Sequence, residues 1–343
     1  MEDLFNDVLI KFNGQTINSQ QEELTPFNRN HIFFDIFKKA TSNSSSEERM
    51  DMLYYFNCYE KSLSASRNRI YTVADYWLNI VNNPPLNLVN EFAQNGMMAL
   101  YYPIIGFKSY VQEEYENAIV NIEEALKHID NLIGYEFKEA IPAKMEQMLN
   151  LIRINLNLAN NDAVEDITNI MFNYMIHNKD DKQVFKIDWA SVYPELSERN
   201  SVLNYYYNSI FYKMIMMDIE SIFDNTSLLS KVNTNILTSK KDQISNFQEL
   251  ENTLQIFELS SQNDIYNFCN LLTNNVFFNT NIPNSLRFIL TERLLNIFHT
   301  FNYSKTEDFK KQLKFYYSDT LKIPNKIINM RNEFWEKRQL SVV

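Results

Sequence analysis

Apolar residues recur at intervals of three and four along most of the chain, the spacing that lines one face of an α-helix. From Glu47 onward this period predicts long helices over 47–64, 67–82, 86–111, 113–130, 138–159 and 162–177. It predicts a second series over 195–224, 241–259, 262–275, 284–301, 305–318 and 324–338. Before Glu47 the pattern is shorter. A small amphipathic helix over 3–12 is expected to break at Asn13-Gly14, a polar arm runs to Thr25-Pro26, and a short helix follows over 30–40. The run from Thr41 to Ser46 reads as a loop, with Ser46 as N-cap before Glu47 and Glu48. Asn82-Asn83-Pro84-Pro85 is a sharp stop, because proline disfavours helical geometry in the residue before it. Residues 178–194 lose the period. Within them Val184 to Trp189 alternates weakly and is the best strand candidate, although a connector between two halves fits the segment better.

The expected organisation is therefore all-α: an N-terminal arm with short helices (1–46), helical hairpins (47–178), a connector (179–194) and a C-terminal helical region (195–343). Glycine usage agrees with this class. The 343 residues contain four glycines, Gly14, Gly96, Gly106 and Gly134. Sheet-rich folds need glycine for hairpin turns and bulges, and phosphate-cradling loops need it for close backbone approach. G-x-G-x-x-G and P-loop patterns are absent, which argues against dinucleotide enzymes, P-loop NTPases and kinases.

One stretch carries a recognisable repeat, Ala99 to Leu132: ALYYPIIGFKSYVQEEYENAIVNIEEALKHIDNL. Tyr102, Ile105-Gly106, Tyr115-Glu116-Asn117-Ala118-Ile119 and Ala125-Leu126 fall in a pattern that resembles a tetratricopeptide repeat. Gly106 and Ala118 would let paired helices approach closely, Ala125 would admit the next repeat, and Ile105, Ile119 and Ile122 would wedge between them. The pattern departs from the family at Ser109, where an aromatic is usual, and at Asp130, where a closing proline is usual. Ala74 and Ala163 echo Ala118 at separations of 44 and 45 residues, longer than the family's ~34-residue period. The resemblance covers about 47–178 and is similar to the degenerate helical-hairpin domains of scaffolds and peptide-sensing bacterial regulators. It implies a TPR-like α-solenoid with additional C-terminal helices. In that family the first helix of each repeat lines a concave groove, which here would present Leu100, Pro103, Phe107, Tyr110 and Val111 to a partner. The same residues would equally suit a core. The face lacks the Lys/Asn/Arg arrangement by which some members clamp a carboxyl terminus.

Charge and chemistry narrow the function. The formal net charge is -11, a field that repels nucleic acid and anionic membranes. The segment from Lys305 onward reverses it at net +4, so it forms either a basic face for nucleic acid or a set of helices docked on the acidic body. The two cysteines, Cys58 and Cys269, form no C-x-x-C and suit a reducing cytoplasm. The acidic N-terminus lacks a signal pattern, and no apolar run approaches the ~18 residues of a membrane span. Glu124 and His128 share a helix face but have no second ligand pair. Glu113, Glu114, Glu116, Glu123 and Glu124 read as a solvated acidic face, and Tyr205 to Met217 as a buried helix. No catalytic, metal-binding or cofactor-binding residue is assigned. The expected function is protein or peptide binding on the apolar-aromatic concave face. The alternatives are a ligand- or peptide-sensing regulatory domain and an all-α enzyme with a dispersed site.

Overall fold

Every ordered element is helical. The computed structural model describes residues 1–18, 32–42, 44–81, 88, 90–180, 182–238, 248–261 and 264–340. Among these residues there is no strand. The first helices are α1 (Glu2–Asn18), α2 (Ile32–Ser42), α3 (Ser46–Arg67), α4 (Tyr71–Ile80), α5 (Glu91–Val111), α6 (Tyr115–Gly134), α7 (Ala140–Asn157) and α8 (Asn161–His177). A single turn α9 (Trp189–Val192) precedes α10 (Leu196–Met217), α11 (Leu228–Thr238), α12 (Gln248–Ser261) and α13 (Ile265–Asn275). The chain closes with α14 (Asn284–Thr300), α15 (Thr306–Phe315) and α16 (Asn325–Leu340).

Several local expectations are corrected. Asn13-Gly14 does not end α1, which continues to Asn18; a lone glycine lowers helix stability without forbidding the helix. The N-cap of α3 is Ser45 rather than Ser46: its hydroxyl accepts from the Glu48 N–H at 3.2 Å, and the Glu48 carboxylate accepts from the Ser45 N–H at 2.8 Å. Val184 to Trp189 is not a strand. The Asp180 carboxylate instead gathers the N–H groups of Val184, Phe185 and Lys186 at 2.6, 2.9 and 2.8 Å, and positive φ at Gln183 and Lys186 coils the backbone around it. The helix expected over 195–224 stops at Met217 and continues as a 3-10 turn, Ile219–Ile222. Helix α11 was not anticipated. Its polar sequence hides a short stripe, Leu229, Val232 and Ile236, that is buried. The proline stop at 82–85 and most of the polar arm lie outside the described residues.

By its contacts the chain forms two compact units, each discontinuous in sequence. One, here the hairpin unit, comprises Asn28–Ile167 and Asp180–Pro194; the other, the terminal unit, comprises Met1–Phe27, Thr168–Lys179 and Glu195–Val343. The division thus falls inside α8, and the two ends of the chain share one unit.

In the hairpin unit, α3 pairs with α4, α5 with α6, and α6 with α7. The α5–α6 pair is the tightest. A Cβ at Gly106 would meet Ile122 Cδ1 at 2.8 Å, and Ala118 and Ala125 are fully buried beside it. Asn95 meets Asn131 at one end of this pair and Tyr110 meets Tyr115 at the other, so the helices are antiparallel. Asp130 on α6 binds Lys144 near the start of α7, while Ile122 packs with Ile154 near its end; α7 therefore runs parallel to α5. The Tyr71 hydroxyl at the start of α4 donates to the Val111 carbonyl at the end of α5, which makes α3 parallel to α5 as well. Helix α2 lies against all three of these parallel helices. It buries Ile32, Ile36, Phe37 and Ala40, and reaches α5 at Gly96, where a Cβ would stand 2.8 Å from that of Ala40.

The terminal unit is organised around α14, in which Ser285 to Leu295 is buried on every side. Helix α1 seals this unit with two aromatic anchors. The Phe5 ring lies 4.6 Å from Phe298, and Phe12 lies 4.9 Å from Phe277 and 5.5 Å from Phe309. The buried α14 carries charges that its neighbours satisfy. Glu292 accepts from Tyr317 Oη at 2.7 Å, Arg331 Nε at 2.9 Å and Trp335 Nε1 at 2.7 Å. Arg293 donates to the Ile222 carbonyl and to the hydroxyls of Ser260 and Ser230, and burial pushes its pKa down to about 10. After α15 a π-helical turn, Tyr316–Thr320, turns two adjacent tyrosines inward, one to the Phe277 carbonyl and one to Glu292. Tyr206, Tyr207, Ile210, Phe211, Met214 and Ile215 of α10 are core, while Met217 at its end is exposed.

Two predictions follow from this packing. Gly96→Ala destabilises the protein by about 1–3 kcal/mol, because the added methyl meets a side chain that has no rotamer to yield. Gly14→Ala, whose Cβ meets nothing within 4 Å, is neutral or stabilising by up to ~1 kcal/mol. Urea unfolding of the two variants checks the opposite signs. Glu292→Gln leaves Arg331 buried without its counter-charge and costs about 3–5 kcal/mol, read as a lower urea midpoint by circular dichroism.

Candidate functional site

The parallel run of α3, α5 and α7 leaves a groove in the hairpin unit, of about 570 Å³. Its floor is an α5 stripe at helical spacing: Leu100, Pro103, Ile104 and Phe107. Pro103 sits within α5. One wall is α3, which contributes Phe56, Tyr59 and Leu63 and the charged pair Glu60 and Arg67. The opposite wall is α7, with Glu146, Gln147, Asn150 and Arg153. Helix α2 supplies the remaining boundary through Ile32, Phe33 and Phe34, and the Phe34 ring is 49% exposed.

The polar atoms of the groove fall into two groups. On α7 they form a chain: Asn150 Nδ2 donates to Gln147 Oε1 at 3.2 Å, Arg153 Nη1 donates to Asn150 Oδ1 at 3.1 Å, and Arg153 stands 3.9 Å from Glu146. Gln147 Nε2 is buried and has no hydrogen-bond partner. On α3 the Tyr59 hydroxyl is likewise buried and unpartnered, and burial, reinforced by Tyr101, raises its pKa. Glu60 and Arg67 are exposed and make no ion pair with any described residue. Nothing in this set resembles a nucleophile with its base. The described residues that line it include no Ser, Cys, His or Lys.

The five residues expected to face a partner are not all in one place. Leu100, Pro103 and Phe107 lie in the groove. Tyr110 lines an adjoining crevice of about 60 Å³ with Gly106 and Ile122, and its hydroxyl accepts from Asn157 Nδ2 at 3.1 Å. Val111 ends α5 on the side of α4. Sequence reasoning missed the α2, α3 and α7 contributions. The i, i+7 recurrence of Glu then Arg in both α3 (Glu60, Arg67) and α7 (Glu146, Arg153) was a usable signal.

Other candidates resolve into structure. His128 stacks on Tyr102 at 5.6 Å with an 8° interplanar angle, and its Nδ1 lies 2.9 Å from Asn95 Oδ1. Glu124 pairs with Lys127 on α6, where Glu116 and Glu123 are exposed, and Glu113 and Glu114 are exposed in the turn before it. Among the described residues no three His, Cys, Asp or Glu side chains converge on a metal position, and no helix is long and apolar enough to cross a membrane. Of the basic C-terminal residues, Arg331 is buried against Glu292, whereas Lys310 and Lys311 pair only with Glu307 and Asp308 one turn away. The terminal unit has its own depression of about 770 Å³ between the Asp218–Asp224 turn and α16. It is more open than the groove, and its aromatic floor, Phe223 stacked on Phe334 at 5.0 Å, already lies beneath the Arg338 guanidinium. Comparison with protein-family models, curated proteins and solved structures finds no match to this chain.

Burial lowers the His128 pKa below its ordinary value. The unfolded chain therefore binds a proton more readily, and stability falls as pH drops from about 6.5 through the lowered folded value. His128→Gln is expected to flatten that part of a melting-temperature-versus-pH curve. An unchanged slope would show that the imidazole does not titrate differently on folding.

Proposed function

We propose that the hairpin unit is a degenerate TPR-like repeat module, α3–α4 and α5–α6 followed by α7, that binds a protein or peptide in the groove across α3, α5 and α7. The observation that carries this reading is the groove itself: an apolar stripe on the middle helix, aromatic side chains on two borders, and exposed or unpartnered polar groups on both walls. Ligand sites share this composition, mostly apolar with a few placed polar groups. Large exposed aromatics such as Phe34 are also what partner hot spots are made of. The protein is read as a cytoplasmic scaffold or adaptor, in keeping with the unpaired, buried thiols of Cys58 and Cys269.

The groove's volume also favours a second reading. About 570 Å³ falls within the ~300–1,000 Å³ of small-molecule sites, so a sensing domain that closes on a peptide fragment or small ligand uses the same residues.

Panning a random peptide display library against the purified protein tests the first reading. Selected peptides should lose at least tenfold in affinity on Phe107→Asp and on Phe34→Asp, with helicity by circular dichroism unchanged. Binders indifferent to both substitutions would remove the groove from the function.

A further inference from the structure

The groove has an occupant of known shape along part of its length. Helix α2 is seated on α3, α5 and α7, the same three helices that form the groove. It buries positions i, i+4, i+5 and i+8, namely Ile32, Ile36, Phe37 and Ala40, the spacing of a helix laid in a trough. Gly96 supplies the notch that lets the two backbones approach. Beyond α2 the described residues leave the same surface open, with Phe34 as the shared border.

The open stretch is polar in a directional way. Glu60 and Arg67 are two helical turns apart on α3, about 10.5 Å along its axis. Because α3, α5 and α7 run parallel, Glu146 and Arg153 repeat the order on the facing wall. The exposed α3 wall of the groove is therefore acidic toward Glu60 and basic toward Arg67. On α7 the charges are already engaged: Glu146 is buried, stands 3.9 Å from Arg153 and is held elsewhere as well. On α3 neither charge has a partner among the described residues.

We propose that the groove takes a short amphipathic helix of a partner protein, docked beside α2 and parallel to α5. Its N-terminal end lies at Glu60 and its C-terminal end at Arg67. This rests on the groove reading above and specifies its occupant. A helix placed in that direction sets its positive end against the Glu60 carboxylate and its negative end against the Arg67 guanidinium. Its apolar face, carrying isoleucine and phenylalanine at i, i+3, i+4 and i+7, covers Pro103, Phe107 and Phe34. A basic residue in its first turn and an acidic residue in its last meet the unpaired charges of α3. An extended strand would present no such dipole, and the reverse helix would set like against like at both ends.

The test uses two synthetic hydrocarbon-stapled peptides of eleven residues with one composition and one Ile/Phe face. One has lysine in the first turn and glutamate in the last; the other has these exchanged. Fluorescence anisotropy against the full chain should show the first binding about tenfold tighter, the expected sum of two favourable and two avoided unfavourable exposed charge contacts. The double variant Glu60→Arg with Arg67→Glu, both at exposed positions, should reverse the preference. Equal binding of the two peptides to wild type and swapped protein overturns the proposal, as does failure of both to bind. If display selection meanwhile yields extended peptides that depend on Phe107, the groove reading stands and the helical occupant alone is wrong. If no Phe107-dependent binder exists, the groove reading falls with it.

Discussion

The packing of α2 on α5 at Gly96 sets the geometry of the candidate groove in the hairpin unit. Any other residue at 96 would put a Cβ into Ala40, so the distance between the two helices is fixed by an absence of atoms. With α2 held there, its aromatic residues Phe33 and Phe34 stand where they border the groove, and the α5 stripe beneath remains partly uncovered. Loosening this contact would change the groove's width before it changed any residue inside it. Gly106 does the same for the outer layer, bringing α6 close enough for Ile122 to fill the space between α5 and α7.

The terminal unit solves a different problem. Helix α14 is surrounded, so Glu292 and Arg293 cannot reach water, and each of these two is answered from neighbouring elements. Glu292 draws on the π-helical turn and α16, and Arg293 on the 3-10 turn, α11 and α12. Buried charges of this kind add little net stability but penalise every arrangement that leaves one unanswered. They therefore select one packing of five elements among the many that an apolar core would tolerate.

Helical class was legible because the 3.6-residue period runs through nearly every segment and glycine is scarce. The α5–α6 hairpin was legible because Gly106, Ala118 and Ala125 mark where two helices must nearly touch. Three things were not. Asp180 folds its following loop by side-chain hydrogen bonds to backbone, which weak apolar alternation at Val184 to Trp189 does not reveal. Helix α11 buries a short apolar stripe, too short to impose a clear period over its asparagines and threonines. The groove joins helices separated by some fifty residues each, and no local window contains it. The floor at Leu100, Pro103 and Phe107 could be named from one helix, but its walls could not, and Tyr110 and Val111 follow the same helix round to other neighbours.

The chain's two ends belong to one unit, and this has a consequence for synthesis. Phe12 completes its ring contacts only when Phe277 and Phe309 exist, and Lys11 meets Asn274 across 263 positions. At the ribosome's pace of about 5–20 residues per second, α1 leaves the tunnel with its apolar face bare and waits roughly 13–50 s for its partners. The hairpin unit, whose helices pair with near neighbours, can form during that interval. The terminal unit cannot be completed until these distant segments are all present.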